Sequence, residues 1–172
     1  MKSNIFILIL LFFAFNQAFG QKKLLPTDSI QITGKVKNPT TFTLDDLDSL
    51  KSVEIDDLII YNHSGEIKDT LTEMRGIPLK DLLRSIRFDY GESESLNEFY
   101  FVFVASDNYK VVFSWNEIYN TELSDNYFVV TQFLGKQINE MEQRILFLST
   151  ADLNSGRRFI QGLKKIELRK IE

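Results

Sequence analysis

The sequence contains no cysteine and only one histidine among its 172 residues. Without a thiol, the chain has no disulfides, thiolate metal ligands, thiol nucleophiles or redox pairs. The single histidine, His63, cannot form a metal site alone, because such sites need several ligands. The sequence also has no Ser-His-Asp order and no phosphate-binding glycine loop. We therefore predict neither catalytic residues nor a metal site from these side chains.

The chain also lacks an excess of positive charge. It has 20 Lys and Arg against 24 Asp and Glu, which gives a formal net charge of −4 at pH 7. Nucleic acids and anionic membranes attract basic surfaces, and an acidic domain has no electrostatic reason to bind either. We therefore expect no nucleic-acid partner, and no membrane partner once the N-terminal segment described next has been removed.

The first twenty residues have the three parts of a secretory signal peptide. Lys2 is followed by an apolar run over residues 5–15 and then by small residues at Ala18 and Gly20. A membrane-spanning helix needs about twenty apolar residues, so an N-terminal anchor is the less favoured alternative. The pattern predicts cleavage after Gly20 and a periplasmic or secreted protein.

The rest of the chain has the length of one ordinary domain. Residues 21–29 form a polar lead with Pro26, which predicts a flexible tether, and residues 30–172 form the predicted domain. Alternating or continuous apolar patterns predict strands at 30–36, 53–61, 99–105, 109–113, 127–134, 145–149 and 163–171. Capping residues and helical spacing predict short helices after Thr43 and Ser114, and a third over residues 78–87 with Pro78 at its first position. Strands with short helices between them predict an α+β fold with mixed β-sheets.

Three of these segments carry more specific expectations. Residues 53–61 are expected to form one strand that enters a turn at 62–65. Residues 99–105 are apolar on both faces, which indicates a central strand covered from both sides. Residues 163–171 have one charged face, which is typical of an edge strand or of a strand covered on one side.

Four stretches in this order resemble one known family. The first is ITGKVKNP at 32–39 with FTLDDL at 42–47, and the second is GIPLKDLL at 76–83. The third is SDNY at 106–109 with the downstream FS at 113–114, and the fourth is LFLSTAD at 146–152 with RRF at 157–159 and LKKIEL at 163–168. Together they are similar to the molybdopterin-binding domain of sulfite-oxidase-like proteins and span nearly all of the chain after residue 30.

This resemblance implies an α+β fold of mixed sheets that, in catalytic members, holds a molybdopterin cofactor whose metal is bound by a cysteine thiolate. The resemblance places that cysteine at about residues 61–64. Here the stretch offers Tyr61, Asn62, His63 and Ser64, so molybdenum would lose its soft sulfur ligand from the protein. The family's activity therefore does not transfer, and we expect no bound cofactor, with molybdopterin as the one cofactor the resemblance allows.

The resemblance marks Asn62 and His63 as candidate cofactor-binding residues. A functional interpretation makes His63 a replacement ligand or a general base. The simpler interpretation, which we favour, is a turn histidine beside Asn62, Ser64 and Gly65.

Arg157 and Arg158 are the second candidate binding pair. Two arginines after a serine and a glycine can hold a phosphate or a carboxylate through forked N–H donors. The simpler interpretation is a solvated loop that balances an acidic protein.

These observations leave three hypotheses. The leading one is an exported, non-catalytic binding module with a degenerate cofactor pocket, which accepts a small anionic or pterin-like ligand or a protein partner. The second is an oxidoreductase that keeps molybdopterin without a cysteine ligand. The third is a structural or interaction domain of α+β architecture.

Overall fold

The computed structural model describes residues 23–62, 64–91 and 93–172, without the side chains of Ser93 and Glu94. The predicted signal peptide, residues 1–20, and the candidate His63 lie outside the described residues. The described part of the predicted tether contacts the domain: Leu25 and Ser106 exchange two hydrogen bonds, and Asp28 pairs with Arg144. None of the helices described is long and apolar enough to span a membrane.

Two sheets and a hairpin form the architecture. The first sheet has five strands in the order β2-β1-β13-β7-β8, and one of its pairs, β1 with β13, is parallel. The second is antiparallel, with the order β12-β11-β9-β6-β3 and β10 paired to β9, and β4 with β5 forms a separate two-stranded hairpin. The strands are β1 Ser29–Gly34, β2 Thr40–Thr43, β3 Val53–Ile55, β4 Leu58–Tyr61, β5 Ile67–Leu71, β6 Met74–Pro78, β7 Phe99–Ala105, β8 Lys110–Ser114, β9 Tyr127–Phe133, β10 Lys136–Gln137, β11 Leu146–Ser149, β12 Ile160–Gln161 and β13 Leu163–Lys170.

The helices are short, and two of them begin with the predicted caps. They are α1 Leu44–Ser49, α2 Leu79–Leu82 and α3 Trp115–Tyr119, and 3₁₀ turns occur at Leu83–Ser85, Ser93–Glu98, Glu122–Asn126 and Ser155–Arg157. Thr43 and Ser114 each form a capping box, with Asp46 and Glu117 respectively, and so satisfy free N–H groups at the helix start. Pro78, expected at the first helical position, is instead the last residue of β6, and the helix after it has a single turn.

The main core lies between the two sheets and is rich in aromatic rings. Phe103, Phe113 and Phe147 are fully buried, with ring centroids 4.7 to 5.4 Å apart. Fully burying side chains of this size contributes about 1.5–3 kcal/mol each, so packing replaces the absent disulfides as the source of stability.

The structure corrects one strand prediction, decides between the two alternatives of a second and refines a third. Residues 53–61 form two strands, not one: Asp56 and Asp57 interrupt the segment, and β3 and β4 belong to different sheets. The last strand is not at an edge but lies between β1 and β7; of the two alternatives, the strand covered on one side is correct. β7 lies inside its sheet, as predicted. Only one of its faces packs into the main core, because Val102 and Val104 on the other face are buried but belong to neither hydrophobic core cluster.

Candidate functional site

The β4-β5 hairpin carries Asn62 in its turn. The Asn62 side-chain oxygen accepts the N–H groups of Ser64 and Glu66, each at 2.9 Å, and its amide nitrogen donates to the Glu66 carboxylate at 2.8 Å. These bonds stabilise the turn in the way asparagine commonly does. They also use both polar groups of the side chain, so Asn62 has a structural role at this position.

The Ser155–Arg157 turn packs directly against β4. The Ser155 hydroxyl donates to the Ile59 carbonyl at 2.8 Å. Gly156 lies so close that an added Cβ would be 2.5 Å from the Tyr61 carbonyl oxygen. The fold therefore brings the predicted arginine pair beside the strand that precedes Asn62, although these segments are almost one hundred residues apart in the sequence.

A small cavity, here called the hairpin cleft, opens between the hairpin and this turn. Its volume is about 110 Å³, and its lining includes Ile60, Lys68, Asp107, Tyr109 and Phe159. Pockets for drug-sized ligands and cofactors are usually about 300–1,000 Å³. The hairpin cleft is therefore the size of a small ion rather than of a pterin.

Tyr109 connects the hairpin cleft to Arg157. Its hydroxyl donates to the Arg157 carbonyl at 2.5 Å, and the Arg157 N–H donates to the Asn154 carbonyl at 3.0 Å. The Arg157 backbone is thus held at both ends, while its side chain is exposed and forms no ion pair within the described residues. Lys68, which lines the hairpin cleft, also has no ion-pair partner in the described part of the chain.

Arg158 has a different environment, here called the arginine cluster, which consists of Arg158, Asp152 and Glu117. Its guanidinium donates to both Asp152 carboxylate oxygens and, at 3.0 Å, to Glu117. Its Cζ lies 4.6 Å from the centroid of the Phe113 ring, which adds a cation–π contact. One cation and two carboxylates leave a net charge of −1, so the arginine cluster does not favour a further anion.

The hydrogen bonds with Asp152 also keep the Arg158 guanidinium protonated. They raise the pKa of Arg158 above its usual value, against the opposing effect of burial, so the guanidinium stays charged. Burial raises the pKa of Tyr127, whose ring lies 5.5 Å from the Arg158 Cζ. The Arg158 guanidinium is therefore a fixed positive charge at neutral pH, and the Tyr127 hydroxyl stays protonated.

The arrangement gives a clear test of whether molybdopterin fits. Within the described residues no group of three or more His, Asp or Glu side chains could hold a metal ion, and the chain has no cysteine. The polar groups of Asn62 are used within the turn, Arg158 is neutralised by carboxylates, and Gly156 fills the space beside Tyr61. These residues do not fit the cofactor implied by the sequence resemblance.

Sequence analysis did not identify Asp152 and Glu117 as the partners of Arg158, and it did not identify Tyr109 and Lys68 as lining residues of the hairpin cleft. Glu117 was assignable only as a helix cap, yet its second oxygen also binds Arg158. Asp152, Tyr109 and Lys68 carried no local signal of their roles. The spacing between Asp152 and Arg158, both inside the fourth resembling stretch, is the one sequence feature that could have indicated a pair.

Comparisons with known proteins show the fold alone. No protein-family model matches this chain, and no curated protein is similar to it at a significant level. Among solved structures, the chain is similar to the sulfane dehydrogenase SoxCD from Paracoccus pantotrophus, with a TM-score of 0.62 and 12% sequence identity. The similarity covers 89% of this chain and 41% of that one, so this chain spans less than half of its structural neighbour. The α+β fold of mixed sheets with short helices is therefore shared with a chain of a dehydrogenase.

Proposed function

We propose that this protein is an exported, non-catalytic binding module that accepts a small inorganic anion at the hairpin cleft. The observation that carries the proposal is a pair of cations, Lys68 in the lining of the hairpin cleft and Arg157 next to the lining residue Gly156, which have no ion-pair partners within the described residues. By contrast, Arg158 is paired with carboxylates and Lys164 donates to the Asn108 side-chain oxygen at 2.8 Å, and the chain as a whole is acidic. Two unmatched cations in and beside a small polar cavity suit an oxyanion.

The surroundings of the hairpin cleft support this interpretation. Its one acidic side chain, Asp107, accepts the N–H of Tyr109 at 2.8 Å and so helps to hold the loop. Lys68 and Asp107 balance in the lining of this cavity, and the neighbouring Arg157 adds one positive charge, whereas the arginine cluster on the inner side of the same turn has a net charge of −1. Anion binding is therefore assigned to Arg157, and Arg158 is assigned a structural role.

The absence of a soft sulfur ligand supports the non-catalytic part of the proposal. The structural neighbour that shares the fold is a dehydrogenase, but one fold can host many functions, and the chemistry depends on the residues at the site. At this site the chain offers carboxylates already paired with an arginine, a turn asparagine and two exposed cations. These groups can bind and orient an anion, and the carboxylates beside them, including Asp107 in the lining of the hairpin cleft, already accept hydrogen bonds.

The test is a titration of the purified protein, residues 21–172, with sulfate and with phosphate at constant ionic strength. We expect a saturable thermal shift that is lost in Arg157→Ala and reduced in Lys68→Ala. Arg87→Ala is the matched control, since Arg87 is exposed and lies at the other end of the five-stranded sheet, where its carbonyl accepts the Lys37 N–H. An equal shift in the wild type, Arg157→Ala and Arg87→Ala would refute anion binding at the hairpin cleft.

A further inference from the structure

The edge of the five-stranded sheet formed by β8 is open. In the described part of the chain, β8 pairs with β7 on one side and with no strand on the other. Open edges invite another strand, and proteins usually protect them with short strands, charged side chains, bulges, prolines or a covering element. β8 has five residues in a continuous register with β7 and contains no proline, and its one charged side chain is Lys110 at its first position.

The hydrogen bonds of the neighbouring residues show which backbone groups face the open edge. Ala105 donates to the Tyr109 carbonyl at 2.9 Å, so these two residues form a hydrogen-bonded pair. Because hydrogen-bonded and non-hydrogen-bonded pairs alternate in antiparallel strands, the N–H and C=O groups of Lys110, Val112 and Ser114 point away from β7. The Ser114 N–H agrees with this alternation of inward and outward groups, because it donates to the Glu117 carboxylate instead of to β7.

Only the outward groups of Lys110 and Val112 are therefore available to a new strand. Val112 is 53% exposed although it lies in the middle of β8, and it lies opposite Val102 on the sheet face away from the main core. We call this face the outer face; its charged residues on β8 and β13 are Lys110, Lys165, Glu167 and Arg169. Val112 is thus an exposed apolar side chain bordered by charged ones, whereas its neighbour Val102 is buried.

The charges of the outer face are unbalanced toward the positive. Glu167 is already paired with both Lys165 and Arg169, whereas Lys110 has no ion-pair partner within the described residues. On β8 and β13 this face carries three cations and one acid, and the surface groove over it is also lined by Lys35 and Glu172, in a chain that is acidic overall. Its electrostatic complement is an acidic segment rather than a second copy, since two copies paired through β8 would join two positive faces.

We propose that β8 accepts an extended acidic segment of a partner protein as an added strand. The segment pairs with the outward backbone groups of Val112 and Lys110. It places an apolar side chain beside Val112 and a carboxylate beside Lys110, two positions away on the same face. This site lies on a different surface from the hairpin cleft, and the proposal does not depend on anion binding there.

The test uses a short synthetic peptide whose alternate residues are glutamate, valine and glutamate, separated by threonines. This pattern is symmetric, so it fits β8 in either strand direction. A matched peptide has lysines in place of the glutamates. Two-dimensional NMR of the protein, residues 21–172, with the acidic peptide is expected to shift the amide signals of Lys110 and Val112 in a saturable way, and the lysine peptide is expected to leave them unchanged.

Three variants make the result specific. Val112→Pro removes the outward N–H without touching the hydrogen bonds to β7, and it should abolish the shifts, while Val112→Thr should retain them. Lys110→Glu should weaken binding of the acidic peptide about tenfold and allow the lysine peptide to bind; this variant decides the question if Val112→Pro does not fold. No shift with the acidic peptide, equal shifts with both peptides, shifts confined to residues outside β8, or a dimer in light scattering that Val112→Pro abolishes would each overturn the proposal.

Discussion

Arg157 and Arg158 are neighbours in the sequence, but their side chains enter opposite environments. Arg158 points into the fold, where Asp152 and Glu117 surround its guanidinium and Phe113 lies beneath it. Arg157 points into solvent, and only its backbone is held, by Asn154 and Tyr109. The sequence suggested anion binding for both arginines. In the structure the inner arginine stabilises the domain, and the outer one remains free to bind.

Arg158→Met should produce the largest effect on stability. It would leave the Asp152 and Glu117 carboxylates partly buried without their cation, and breaking a fully buried pair costs about 3–5 kcal/mol. Because the side chains of Arg158 and Glu117 are 23% and 35% exposed, we expect a smaller loss, about 2–3 kcal/mol, in urea unfolding. Arg157→Met is the matched control and should change the free energy of unfolding by less than about 0.5 kcal/mol. Equal losses in the two variants would contradict the division of roles.

Gly156→Ala should have the next largest effect, because the new Cβ would lie 2.5 Å from the Tyr61 carbonyl oxygen. Overpacking of this kind typically costs about 1–3 kcal/mol. The turn and the hairpin must move apart to relieve the contact, so we expect faster amide hydrogen exchange in β4 and β5 than in β7. Ser155→Ala, which removes only the bond to the Ile59 carbonyl, should cost about 1 kcal/mol. Unchanged exchange in the hairpin of Gly156→Ala would show that the turn does not hold it.

Glu167→Gln should have the smallest effect and should depend on pH. Hydrogen bonds from Arg169 and then Lys165 lower the pKa of Glu167 from 4.5 to about 2. A carboxyl whose pKa is lower in the folded state stabilises the protein above its unfolded pKa, and this contribution is lost as the pH falls from about 4.5 to about 2. We expect the variant to be less stable than the wild type by less than about 1 kcal/mol at pH 7, with the difference shrinking below pH 4.5. A difference that grows on acidification would contradict this assignment.

Local signals in the sequence predicted much of the fold. Thr43 with Asp46, and Ser114 with Glu117, specify helix starts through bonds within four residues, and the structure confirms both. The apolar run from Phe99 to Ala105 identifies a central strand because both its faces are buried. The charged residues of β13 suggested an edge strand, whereas the strand lies in the middle of its sheet. The stems of lysine and arginine can lie along a sheet while their charged ends reach water.

The candidate site was less predictable because it depends on contacts between distant segments. Glu117 and Arg158 are 41 residues apart, and Ser155 meets the Ile59 carbonyl across 96 residues. Neither hydrophobic periodicity nor a helix cap can predict contacts between residues so far apart in the sequence. The sequence therefore indicated which residue types were present near the site, whereas the pairing of Arg158 and the freedom of Arg157 depended on the packed fold.

The most direct test of the account is the molybdenum content of the protein purified from a host that makes molybdopterin and exports the chain. The account predicts no stoichiometric molybdenum and no fluorescent pterin released on denaturation, because the chain lacks a thiolate and its inner arginine is already neutralised. One molybdenum per chain, retained through gel filtration, would contradict it.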